Sequence, residues 1–416
     1  MFALLAILVA VFAVVEISDT NGVDQAAIAL GLAALLAYAW SRISVRKLTL
    51  VREPLIDHVA VGDRFEEQLT LVNGSIVPKP WLEVFDFSTL PGHGAGQVVR
   101  TRGRGSVRWR AQSVCQQRGE FELGPIRVRS GDPFGVFTRT VIAPETIKIV
   151  VWPYSVTMPE FEEPGGVFSG GPRNGWSPYV SPSIAGIREY VAGDPFNRIA
   201  WSATARSDSL MVKELEQDPI SDIWLLLDLH REVEVVADIA HQAIVRDVGE
   251  RKLVSTTEYG VAIAASLAKT YLERGRSVGL ILSGFQQVVL NPDRGDAHFA
   301  RIMDYLAVAH ADGANPIETV IAAHRSRFNR QSSVLIVTSS PDEHWVSEPT
   351  SLVGLGVPAH AIIVQPETFG STVPALPAVA ALIAGNVPVT TVAYGDRIAA
   401  LTSHRAETGV IDAAGR

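Results

Sequence analysis

Cysteine is nearly absent from this 416-residue chain: Cys115 stands alone, which excludes an intramolecular disulfide and any multi-cysteine metal site. A basic surplus is missing too. Lys+Arg number 36 against 44 Asp+Glu, a formal charge of −8 and the opposite of a general nucleic-acid binder's basic face. Nucleic acid is therefore not an expected partner. The chain has no G-x-x-x-x-G-K-[ST] to cradle phosphate and no G-x-G-x-x-G after a strand. H-E-x-x-H and G-x-S-x-G are missing as well. The ten histidines are scattered, and none pairs evidently with a serine or with Cys115. No catalytic residue and no cofactor is expected on these grounds.

Apolar material is plentiful. Hydrophobic residues make up 47% and charged residues 19%, which excludes a disordered or collagen-like chain. The mean hydropathy of +0.19 has a local source. Residues 1–15 carry no polar side chain, and residues 26–41 carry only Tyr38, Trp40 and Ser41 as polar or interfacial types. Each run is a little short of the ~20 residues that span a hydrocarbon core, but can recruit its flanks. The reading is a transmembrane helical hairpin over 1–46. Glu16, Asp19 and Asp24 lie in its loop, and Arg42, Arg46, Lys47 and Arg52 follow the second apolar run. The positive-inside rule then places the bulk of a two-helix, multi-pass inner-membrane or plasma-membrane protein in the cytoplasm, with membrane lipid as a partner.

Residues 47–154 read as short alternating strands (FEEQLTLVN, WLEVFDFS, SVRWRAQSV, TIKIVVWPY) separated by turns, the pattern of a β-sandwich. Arg100, Arg102 and Arg104 alternate there, as do Arg108 and Arg110. They read either as a solvated sheet face or as a contact for anionic lipid headgroups or an acidic partner surface. Residues 155–183 are a Pro/Gly-rich linker. Residues 184–400 comprise a signature segment and then alternating strands and helices: Ile223–Leu229, 277–284, 333–340, 360–366 and 387–394 read as strands. This implies a doubly wound parallel sheet, whose ligand sites lie beyond the carboxyl ends of its strands. Residues 401–416 read as a frayed tail.

Two stretches carry a resemblance. Gly193, Asp194, Ile199, Trp201, Ala205 and Arg206 match G-D-x-x-R-x-I-x-W-x-x-x-A-R, with Asn197-Arg198 where that pattern has R-x, and Asp132-Pro133-Phe134-Gly135-Val136-Phe137 match D-P-F-G-x-F. Together they resemble the bacterial domain-of-unknown-function 58 family. The resemblance implies a multidomain layout: transmembrane helical hairpin, β-sandwich, then an α/β doubly wound von Willebrand factor A-like domain. It also implies association with MoxR-type AAA+ ATPases, and brings no settled activity. In the signature, Asp194, Arg198, Trp201 and Arg206 read either as a staple of stacked guanidinium and indole groups or as a partner-docking surface.

The likeness to von Willebrand A domains implies a metal loop, Asp-x-Ser-x-Ser, with a Thr on a second loop. Here Asp228 is followed by His230 and Glu232 where the serines belong, and Asn315 stands at the Thr position. The set is degenerate for a hard divalent cation. The expected function is a membrane-anchored, non-enzymatic scaffold or adaptor that binds a protein partner such as a AAA+ ATPase. The alternative is a metal-dependent hydrolase at the inner membrane face, with Asp228, His230 and Glu232 as ligands.

Overall fold

The computed structural model describes residues 22–55, 58–161, 184–191, 199–207, 209–215, 222–237 and 253–402. Two compact units divide the chain: Met1–Tyr154 with Leu306–Val308, and Ser155–Tyr305 with Ala309–Arg416.

The first unit opens with helix α1 (Gly22–Ser44). Its uninterrupted apolar part runs from Ala26 to Trp40 and rises about 22 Å at 1.5 Å per residue, against a hydrocarbon core of about 30 Å. Its C-terminal half packs on protein, with Ala37, Ser41 and Ser44 buried, and beyond Trp40 the helix turns polar. The Tyr38 ring meets Phe137 edge-on at 5.7 Å, and the fully buried Lys79 donates its Nζ to the Ile43 carbonyl. Burial pushes the Lys79 pKa down. Among the described residues no helix is long and apolar enough to cross a membrane. This corrects the expected transmembrane hairpin and the two-helix, multi-pass inner-membrane placement built on it; the run 1–15 lies outside the described residues.

After α1 come ten strands: β1 (Leu48–Pro54), β2 (Val59–Ala60), β3 (Arg64–Asn73), β4 (Lys79–Asp86), β5 (Gln97–Thr101), β6 (Ser106–Val114), β7 (Gly119–Leu123), β8 (Ile126–Gly131), β9 (Thr138–Ala143) and β10 (Ile147–Trp152). They form sheets ordered β1-β3-β6, β5-β4-β8-β9 and β2-β10-β7. The first two face each other across one core, in which Leu50, Leu69, Leu71 and Ala111 meet Leu82, Val84, Val99, Ile126 and Val128. Strict alternation in β3 sends Phe65, Glu67, Leu69 and Leu71 inward and Glu66, Gln68 and Thr70 outward.

In the second unit a strap, Ser155–Phe161, lies along helix α2 (Thr256–Glu273). Val156 N donates to Ser266 Oγ (3.1 Å) and Met158 N to Thr270 Oγ1 (2.9 Å). Arg274 donates to the carbonyls of Met158, Pro159 and Phe161, and Met158 and Phe161 are fully buried. A two-stranded antiparallel ribbon follows, β11 (Ile184–Glu189) with β12 (Met211–Leu215). The main sheet has β13 (Asp222–Leu227), β14 (Val278–Leu282), β15 (Val288–Asp293), β16 (Ser332–Thr338), β17 (Ala359–Val364) and β18 (Val389–Val392), in the order β15-β14-β13-β16-β17-β18. All its pairings are parallel except β14 with β15. Helices α3 (Asp296–Ala307), α4 (Ile317–His324), α5 (Ser347–Gly354) and α6 (Leu376–Ala384) join α2 in the connections. From β13 the chain first moves to β14 and β15, then returns to β16 on the other side. The order reverses at the β13/β16 boundary, and a crevice at the carboxyl ends of such strands is where open α/β sheets bind ligands.

Candidate functional site

Asp228 is the first residue after β13 and stands at that reversal, 6% exposed. Thr338, the last residue of β16, donates its hydroxyl to Asp228 Oδ2 (2.7 Å). The His230 N–H donates to Oδ1 (3.0 Å), and Ser283 Oγ, just after β14, lies 3.4 Å from the same oxygen. Ser283 Oγ in turn accepts from Leu229 N (2.7 Å), and Thr338 Oγ1 accepts from Ser340 N (2.9 Å). Burial among these neutral dipoles pushes the Asp228 pKa up, against the opposing pull of the His230 N–H and the Thr338 hydroxyl.

Neighbouring loops are tied to the same point. Gly313 N donates to Leu229 O (2.9 Å) and Arg231 N to Gly313 O (3.1 Å). A Cβ on Gly313 would stand 2.0 Å from the Ser283 carbonyl, so only glycine permits this approach. Asp312 Oδ1 accepts from Phe285 N (2.7 Å), holding a loop whose phenyl ring is 79% exposed. Ser339 Oγ donates to Val233 O (2.8 Å).

Of the residues singled out in the sequence, the structure brings only Asp228 and the backbone of His230 into this network. Glu232 and Asn315 are exposed on the rim. The three side chains Asp228, His230 and Glu232 do not converge on one point among the described residues. With both Asp228 oxygens engaged by protein donors, the donors present do not fit a divalent cation. No histidine hydrogen-bonds Ser283, Thr338, Ser339 or Ser340, so within this network no nucleophile is matched to a base.

In the signature, Asp194 and Arg198 lie outside the described residues. Ile199 bridges Val212 of β12, and Ala200 N donates to Met211 O (2.8 Å). Trp201 and Arg206 are both exposed, and no stacking contact joins them. Trp201 shares its exposure with Ile187, Val191 and Leu210 around the ribbon.

The family model described as "Protein of unknown function DUF58" matches residues 186–354, from the ribbon through the Asp228 network to α5. This part of the chain belongs to the DUF58 family. The chain is also 27% identical over 231 residues to the uncharacterized protein YeaD of Bacillus subtilis (strain 168), covering 54% of this chain and 52% of YeaD. It thus spans about half the length of that curated relative. Among solved structures, the CARDB domain of the PF1109 protein from Pyrococcus furiosus matches 25% of this chain and 91% of its own at 17% identity and TM-score 0.19. The PapD-like domain 7 of human CEP192 matches 26% and 85% at 12% identity and TM-score 0.18. Scores this low carry no argument about fold or function.

A second cluster, unmarked by any motif, lies inside the sandwich. Arg52 Nε meets Glu67 Oε2 and Arg52 Nη2 meets Asp86 Oδ1, each at 2.8 Å. His93 Nε2 stands 2.8 Å from Glu67 Oε1 and 3.6 Å from Asp86 Oδ2, with Nδ1 2.9 Å from Ser113 Oγ. Burial raises the Asp86 pKa, but the Ser88 hydroxyl, Arg52 and the Ala95 N–H outweigh it and hold the group below its ordinary value. Glu67, Asp86 and His93 are the convergent group of ligand-type atoms. Their carboxylate oxygens are already engaged by Arg52, Ser88, Ala95 and His93, so the cluster is a closed charge clamp between β1, β3, β4 and the loop after β4. Its one legible trace was Glu67, a charge in the inward register of β3.

Proposed function

We propose that the DUF58 segment is a non-enzymatic protein-binding module, an adaptor or scaffold that docks a partner on the loops at the carboxyl end of its six-stranded sheet. The observation that supports this most is the use made of Asp228. At the strand reversal Asp228 accepts from the His230 N–H and the Thr338 hydroxyl, with Ser283 Oγ at 3.4 Å, and thereby fixes the loops rather than facing a substrate. Beside it, Phe285 is held out by Asp312 with most of its ring in solvent. Exposed aromatic anchors on rigid loops are the usual energetic centres of protein interfaces. The sequence resemblance supplies a AAA+ ATPase of the MoxR type as the partner to try first.

The test is co-purification of the tagged full chain with a MoxR-type ATPase from the same genome. The wild type should retain it, and Phe285→Ala should retain at least about tenfold less, a hot-spot-sized loss. Trp201→Ala tells whether the ribbon takes part. Absence of retention by the wild type, or equal retention by Phe285→Ala, counts against docking at this rim. Near-stoichiometric metal that disappears in Asp228→Asn would instead revive a metal-dependent hydrolase.

A further inference from the structure

Arg100, Arg102, Arg104, Arg108 and Arg110 are all exposed on the sandwich of a chain whose formal charge is −8. Among the described residues none of them forms an ion pair; Arg108 only donates Nε to Thr70 Oγ1 at 3.3 Å. Elsewhere on the sandwich, cations are matched, as Arg129 is with Glu83 and Lys148 with Glu120. The carboxylates that share the outer face of this sheet are occupied by amides. Gln68 Nε2 reaches Glu53 at 3.4 Å and Gln112 Nε2 reaches Glu66 at 2.9 Å.

Strand β6 carries Arg108 and Arg110 and is the last strand of its sheet: it pairs with β3, and no strand is paired on its other side among the described residues. Its outward positions Ser106, Arg108, Arg110 and Gln112 alternate with Val107, Trp109 and Ala111, which face the core. Successive outward guanidinium groups on a strand recur about every 6.7 Å, the same period at which an adjoining strand presents its own alternate side chains. A free edge and a matched charge period together define a strand-addition site.

We propose that the β6 edge receives an extended acidic segment of a partner protein, with Asp or Glu at every second residue facing Arg108 and Arg110. Backbone pairing to the open edge supplies affinity, and bidentate guanidinium–carboxylate pairs set register. Arg102 and Arg104, in the connection that leads into β6, continue the positive field at the start of the strand. Nucleic acid is disfavoured, because the only aromatic side chain on β6, Trp109, faces inward with Nε1 on the Ala95 carbonyl at 3.1 Å and offers no platform for bases. Arginines on an edge strand also deter self-pairing, but that role predicts no preference for an acidic ligand of one particular spacing.

The experiment titrates the full chain into a labelled peptide of alternating Glu and Thr, followed by fluorescence anisotropy at low salt. A peptide of the same composition with all Glu in one block, an oligo-dT and phosphatidylglycerol vesicles are tested in parallel. The alternating peptide should bind best, and Arg108→Gln/Arg110→Gln should weaken it about tenfold, a loss in the range of two cross-strand charge pairs. Unchanged thermal unfolding of this variant confirms that the exposed substitutions leave the fold intact. Equal binding of the blocked peptide, binding undiminished in the double variant, no peptide binding at all, or a clear preference for oligo-dT or vesicles would each overturn the proposal.

Discussion

A carboxylate sealed among neutral donors gives up its proton late, and for Asp228 this sets the sign of a pH effect. Its folded-state pKa is raised, so above about 3.9 the unfolded chain ionises first. Stability contributed by this group is then lost progressively with rising pH, until the folded-state value is passed. Asp228→Asn should remove that slope: urea unfolding from pH 4 upward should show a smaller decline than in the wild type. The clamp behaves oppositely. Asp86 is held below its ordinary value, so its contribution is present above about 3.9 and lost on acidification. Arg52→Met leaves Glu67 and Asp86 buried without their common cation and should cost about 3–5 kcal/mol, read by urea denaturation near neutral pH. The two sites differed in how far the sequence exposed them. Asp228 follows an unbroken apolar strand and is visible as the first charge after it, but its partners Ser283 and Thr338 come from strands about 55 and 110 residues away. Pairings of that range leave no local spacing to read.

Elements whose neighbours are fixed by local pattern were the readable ones. Ile223–Leu227 has no alternation because both faces of β13 are covered, and every one of these residues is buried. Helix α1 shows the limit of that logic. Its apolar composition suggests a lipid span, yet hydropathy does not register that Ser41 and Ser44 bury against protein while Lys79 of β4 donates to the Ile43 carbonyl. The strap is a further case. Ser155–Phe161 looks like the start of a linker, since its order comes from α2: Ser266, Thr270 and Arg274 supply the donors and acceptors its backbone lacks. Arg274→Ala removes three of these bonds and should release the strap. Hydrogen exchange is the direct measurement: the amides of Val156 and Met158 should exchange at least about tenfold faster, equivalent to one lost hydrogen bond of about 1.4 kcal/mol. Amides of β13 should be unaffected.

At the scale of the molecule, each unit owns its core. The sandwich buries Leu69, Leu71, Leu82 and Ile126, whereas the α/β unit buries Trp224, Leu226, Ile336, Trp345 and Ile363. Cooperative unfolding follows shared buried contacts, so two cores of this kind melt as separate units unless one stabilises the other. A pair of variants tests this. Arg52→Met acts only within the sandwich clamp. Gly313→Ala forces a Cβ to 2.0 Å from the Ser283 carbonyl and 2.9 Å from the Leu229 carbonyl, and should cost about 1–3 kcal/mol as an overpacked site. Urea unfolding followed by tryptophan fluorescence should give two transitions, with Arg52→Met lowering the midpoint of one and Gly313→Ala that of the other. The same variants separate the two binding surfaces: Gly313→Ala disturbs the loops that carry Phe285 and should impair partner retention there, while leaving recognition of acidic peptide by Arg108 and Arg110 intact. A single transition displaced equally by both substitutions would mean that the units fold as one, and a loop change at the sheet's carboxyl end would then be felt at the β6 edge as well.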